Sequence, residues 1–275
     1  MGRRSMKTRI IWVILALTCF VCGSWDHCLS DSINLDDNKQ AEMEKYLKKA
    51  TIGPNRTPIG RRTDAYFVNL DDGETKRRGV LRFTDNPRPQ RPADSYKYTI
   101  AAYELDKLLD LNLVPPTVER KDSGKKASLQ LVIETQLNER KRQLEKTEPP
   151  DPETFYNTLE DLYVFENLVY CSALCEFQDS LDDILIDPEK GWRVWRVDLT
   201  QAFVPYTELI PDREITRCSR KLFLNLSGLE DKAIKSKLKK YLNNDEIDAV
   251  LKRKKLIIEK IEALIKEKGE EKVLF

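Results

Sequence analysis

Beyond residue 36 the apolar positions change period several times, and each change marks an element. Met43, Tyr46 and Leu47 share one face of a short helix that Asp36 or Asp37 can cap and that runs to about Ala50. Two runs of strand composition follow, Ala65–Leu70 and Arg78–Phe83, with the turn pair Asp72-Gly73 between them. Gly53 and Gly60, in TIGPNRTPIG ahead of that hairpin, read as an ordinary turn; the alternative is a loop over phosphates. NPRPQRPAD at 86–94 reads as a stiff, proline-rich linker, after which Ile100, Tyr103, Leu105, Leu108 and Leu109 recur at helical spacing. A sharp turn at Pro115-Pro116 leads into one strand, and ASLQLVIE at 127–134 forms another.

The second half of the chain reads differently. NERKRQLEK at 138–146 is a charged helix, EPPDP at 148–152 a break, and TFYNTLEDLYVFENLVYCSALCEF at 154–177 a long apolar helix that must be buried. A hairpin, SLDDILIDPEKGWRVWRVDLTQAF at 180–203, interrupts the helices. In the last long helix Ile247, Val250, Leu251, Ile257, Ile258, Ile261, Leu264 and Ile265 form a stripe that ends at Gly269, and KRKK at 252–255 reads as its solvated face. The pattern therefore predicts an α+β fold of two lobes, a small β-rich one at 51–134 and a larger, mainly helical one at 135–269. Residues 24–50 are an N-terminal extension with a helix, and 270–275 a short tail.

The N-terminus adds a compartment. MGRRSMKTR places four basic residues ahead of an apolar run of about fourteen, with Val21 and Gly23 suited to cleavage before Ser24, so residues 1–23 read as a signal peptide. Export follows, to a periplasm, the extracellular space or a secretory lumen. Membrane association is expected only if the segment stays uncleaved or is lipidated at Cys19 or Cys22. Losing Arg3, Arg4, Lys7 and Arg9 takes the formal charge from +1 to −3, and acids and bases are otherwise interspersed, which argues against nucleic acid as a partner. Cys28, Cys171, Cys175 and Cys218 remain, with pairing undefined; Cys171 and Cys175 read as buried small hydrophobes. His27 is the only histidine of the chain, so Ser-His-Asp, Cys-His and histidine-ligated metal chemistry are excluded from the folded body. NRT at 55–57 and NLS at 225–227 match the N-glycosylation pattern, which has meaning only in a eukaryotic host.

Candidate chemistry centres on the hairpin. With Pro188–Gly191 as its turn, Asp187 is expected opposite Trp192 and Asp183 opposite Arg196, so that Asp198 becomes the diagonal neighbour of Asp183, within about 7–8 Å. Two carboxylates so placed can share a divalent cation; alternatively Arg193 and Arg196 neutralise them.

The succession of β-rich lobe, linker and helical lobe, with a hairpin patterned IL-I-D…W-x-V-W-x-V-D-x-T-x-AF, resembles the protein-kinase-like superfamily. It is most similar to the atypical branch of phosphoinositide and secretory-pathway kinases. YTIAAYELDKLLDLNLVPPTVER resembles that branch's helix C, and SLQLVIE the strand leading to the hinge. The resemblance implies ATP with Mg or Mn as cofactor, Arg82 in the place of the phosphate-holding lysine, and Glu104 as substitute for a helix-C glutamate whose own position holds Thr99. It also implies Asp183 and Asp198 as metal ligands, with Gln178 where the catalytic base belongs and Asp179 beside it as the candidate base, Glu176 being the alternative if the register differs by a residue. Glutamine accepts no proton at neutral pH, and an arginine lacks the compact ammonium of lysine. The expectation is thus an exported pseudokinase that binds a protein partner or a ligand in or near the interlobe cleft. The alternatives are an active ATP-dependent phosphotransferase on a protein, lipid or sugar hydroxyl, and a purely structural helical module.

Overall fold

The computed structural model describes residues 39–60, 64–90, 93–170, 179–211 and 213–275. The chain divides into two units, Met1–Gln40 and Ala41–Phe275, and the candidate site lies within the second. The expected signal peptide, Cys28, Cys171, Cys175, Glu176 and Gln178 lie outside the described residues. Among the described residues no helix is long and apolar enough to cross a membrane.

The fold is α+β as expected, an antiparallel sheet in the N-terminal part and helices in the C-terminal part. The described residues 39–49 are helical and are called α1. A five-stranded sheet comes next in the order β1-β2-β3-β7-β6, from β1 (Thr51–Pro58), β2 (Ala65–Asp71), β3 (Lys76–Arg82), β6 (Thr117–Asp122) and β7 (Lys125–Leu131). The hairpin β2–β3 and the two later strands stand where the alternation placed them.

β1 corrects the reading of TIGPNRTPIG as a turn. Pro54 and Pro58 cannot donate to a ladder, but β1 is an edge strand, where a missing donor costs nothing, and the register slips between Ile52 and Arg56 to accommodate them. Arg56 of this edge reaches Asp122 at the opposite edge, 2.7 Å away, so the sheet is strongly curled. Leu47 of α1 and Ala50 just after it pack with Val68, Leu70, Leu81, Val118, Ala127 and Leu129 in a small apolar cluster over one face.

Between the short paired strands β4 (Asp85–Asn86) and β5 (Asp94–Ser95), the proline-rich stretch is no free linker: Arg88 fixes it to the body by donating to the Ala202 carbonyl. Helix α2 (Tyr96–Leu109) starts at Ser95, whose hydroxyl accepts from the Lys97 amide, and ends at the left-handed Asp110. Its buried side chains Tyr98, Ala101, Ala102, Tyr103, Leu105 and Leu109 belong to a second, larger cluster together with the C-terminal helices.

The C-terminal part comprises β8 (Leu137–Asn138), α3 (Glu139–Glu145), α4 (Pro152–Val169), β9 (Ile184–Asp187), β10 (Arg193–Arg196), α5 (Arg220–Gly228), α6 (Asp231–Leu238), α7 (Asn244–Lys268) and α8 (Glu270–Val273). The short β8 adds a third strand to the hairpin, in the order β10-β9-β8. Helix α4 ends at Tyr170, with φ of 36°, earlier than the apolar run suggests. Helix α7 has a complete capping box, Asn243 with Glu246, and stops at Gly269.

The KRKK stretch of α7 is not all solvated. Arg253 is fully buried and Lys254 is 9% exposed. Arg253 donates to the carbonyls of Leu168 (2.9 Å), Val204 (2.9 Å) and Tyr206, which satisfy its guanidinium without a carboxylate. Burial pushes its pKa down to about 10.

Candidate functional site

The hairpin pairs with a register one residue away from the expected one. Arg193, not Trp192, stands opposite Asp187, and Arg196 is opposite Ile184. Gly191 and Trp192 both adopt left-handed backbone, φ 68° and 59°, after the 3-10 turn Pro188–Lys190, so Trp192 belongs to the turn. Asp183 then meets Val197, whose amide donates to the Asp183 carbonyl at 2.9 Å. The Arg193 guanidinium lies over the Trp195 ring, 4.0 Å from its centroid.

Asp183 and Asp198 each have their own arginine. Arg196 Nη1 is 3.7 Å from Asp183 Oδ2, and Arg82 Nη2 is 3.1 Å from Asp198 Oδ1. Asp198 holds left-handed backbone, φ 53°, a conformation that aspartate tolerates better than most residues, and its Oδ1 also accepts from Thr200 Oγ1 at 3.2 Å. Burial pushes Asp183 up to about 7; Arg196 and Arg82 oppose this, and Asp198 and Asp182 add to it. Asp94 is a third carboxylate of this neighbourhood, raised by burial and by Asp198 against the opposing effects of Thr200 and Arg82. Sequence reasoning missed it, having read it as the end of a linker.

A buried network supports the hairpin from behind. Glu166 of α4, fully buried, accepts from Arg196 Nε at 2.9 Å and from Arg213 Nε at 2.7 Å. Arg213 Nη2 donates to Ser180 Oγ at 2.8 Å, which ties the 3-10 turn Asp179–Leu181 into the same set. Asp179, the candidate base, begins this turn, and its side chain lies outside the described residues. Glu166 and Arg213 were missed, although one signal was present: Glu166 is a lone acid among VFENLV, on a helix that must be buried.

Arg82 reaches Asp198 because of the sheet. Leu81 and Leu129 point into the α1 cluster, so Arg82 and Ser128, which are ladder partners, point to the other face. Ser128 Oγ and, on α2, Thr99 Oγ1 are buried and have no hydrogen-bond partner. The expected approach of Glu104 to Arg82 is not observed. Glu104 pairs with Lys107 at 3.2 Å, one helical turn along α2, and with Lys237 of α6 at 3.5 Å.

Of the predicted set, the fold thus brings together Arg82, Asp183 and Asp198 and directs Glu104 elsewhere. Among the described residues no group of three or more His, Cys, Asp or Glu side chains is arranged to hold a metal ion. Asp183 and Asp198 each face a guanidinium, so this donor set does not fit a resident cation unless Arg82 moves away. A cavity of about 650 Å³ lies elsewhere along the sheet, lined by Gly53, Asn69, Arg78, Val132 and Glu134 among others; neither Arg82 nor Asp198 lines it. The Arg78–Glu134 pair in its wall is bidentate, at 2.8 and 2.7 Å.

No protein-family model and no curated protein matches the chain. Among solved structures, it is similar to a proinflammatory kinase of Helicobacter pylori, CtkA, with a TM-score of 0.47 and 11% identity, over 78% of this chain and 94% of that one.

Proposed function

We propose that the chain is an exported kinase-fold protein without phosphotransfer, which binds a partner or ligand in the cleft between the sheet and the hairpin. The observation that carries this reading is the Arg82–Asp198 ion pair at 3.1 Å. The cation at the phosphate-holding position and the carboxylate at the metal-binding position neutralise each other. A nucleotide-metal complex would have to break that pair, and among the described residues no glutamate is paired with Arg82 to position it. The Gln178 substitution at the base position agrees with this.

A second reading, an active atypical phosphotransferase, draws on one feature: the Asp198 side chain is 43% exposed and so accessible to a cation. Calorimetric titration of the protein with ATP and magnesium or manganese, alongside Asp198→Ala, separates the two. We expect no metal-dependent nucleotide binding. Binding that is lost in Asp198→Ala, followed by turnover, would replace the first reading with the second.

A further inference from the structure

The segment that carries Asp198 is held from outside the hairpin by one residue of the proline-rich stretch. Arg88 Nη2 donates to the Gln201 carbonyl at 3.0 Å and Nη1 to the Ala202 carbonyl at 2.9 Å, while Nη1 lies 3.2 Å from the carboxylate of Glu246. Its guanidinium sits over the Tyr98 ring, 5.1 Å from the centroid, and its backbone amide donates to Tyr98 Oη at 3.0 Å. Tyr98 Oη in turn donates to Glu246 at 2.6 Å, and Glu246 is the third residue of the α7 capping box. The carbonyl just before, that of Thr200, accepts from the Ser95 amide at 2.9 Å. Three successive carbonyls after Asp198 are therefore taken up by residues 88 and 95.

We propose that Arg88 is a positioning residue: it locks Asp198–Phe203 against α2 and α7, and so sets where the Asp198 carboxylate points whether or not anything is bound. The physical basis is the planar fork of arginine. It spans two adjacent carbonyls and a carboxylate at once, while the tyrosine face covers the guanidinium. A lysine has one nitrogen to share among the same acceptors. The side chain of Arg88 is 14% exposed and that of Glu246 2%, so these bonds are shielded from water and salt. A cleft wall held in this way is a fixed shape and not a moving part. This deepens the proposed function, because it suits static recognition of a partner better than cycles of opening and closing.

Hydrogen exchange on the full chain tests this without any nucleotide, so its failure is distinct from failure of the binding reading. In Arg88→Ala, amides at 199–204 are expected to exchange about tenfold faster or more, while those of β7 stay at the parent rate. Arg88→Lys should fall between the two, which keeps the test available if the alanine variant does not fold. Tyr98→Phe removes the hydroxyl but leaves both carbonyl bonds, and should change the 199–204 amides much less than Arg88→Ala. Unchanged exchange at 199–204, or an equal rise over the whole protein, would overturn the proposal.

Discussion

Asp183 and Glu166 show how one functional group, the carboxyl, acquires opposite roles from its surroundings. The raised pKa of Asp183, about 7 in the folded chain, means that between its unfolded value and about 7 the folded state holds a proton that the unfolded state has lost. By linkage, its contribution to stability is fully present below the unfolded value and declines as pH rises towards 7. Asp183→Asn should therefore flatten that part of the stability profile and stabilise the protein at pH 8 by on the order of 1–2 kcal/mol, discounted for the partial exposure of the side chain. Thermal melts between pH 4 and 8 check this, and a profile parallel to the parent's would contradict it. Glu166 behaves in the other sense, because two buried guanidiniums depend on it. Glu166→Gln leaves Arg196 and Arg213 without their shared charge, and a loss of about 3–5 kcal/mol in urea unfolding is expected.

At the scale of elements, close packing governs which substitutions β3 accepts. Gly79 is buried in the middle of β3, where a Cβ would lie 2.7 Å from Leu129 Cδ1 and 3.0 Å from Leu70 Cδ1. Gly79→Ala should thus destabilise by about 1–3 kcal/mol despite the better strand entropy of alanine, as overpacking outweighs it; denaturant midpoints report the sign. Helix α7 illustrates the limit of reading polarity from a sequence. Its apolar stripe and its stop were legible and its cap at Asn243 was not read, and Arg253 turns inward because the end of α4 and the segment 204–206 present carbonyls to it. Helical spacing did place Arg253 on the apolar stripe, three residues after Val250 and four before Ile257, a signal that the charge of KRKK overrode in the reading. Likewise β1 has the composition of a turn and becomes a strand only because an edge position excuses its prolines.

For the molecule as a whole, two apolar clusters divide the work, a small one between α1 and the sheet and a large one shared by α2 and the C-terminal helices. Local pattern was enough for the α+β class, the sheet hairpin, the helix after the proline-rich stretch, the stripe and end of α7, and the candidacy of Asp183 and Asp198, while Arg82 became a candidate only through the resemblance. Alternation, helical period, turn chemistry and residue type all act within short range, so the string of residues records them. Which charges meet was settled by folding. Arg82 faces Asp198 across 116 positions of chain, Glu104 is drawn to Lys237, and Arg88 closes on the Gln201 and Ala202 carbonyls. Hairpin register also had to await the packed chain, since the backbone of Trp192 shifts the pairing by one residue. The physical reason is common to these cases. Side-chain period is a local quantity, whereas the partner of a buried charge is chosen by burial and long-range approach, and a balanced, interspersed charge pattern leaves many partners equivalent until the chain is packed.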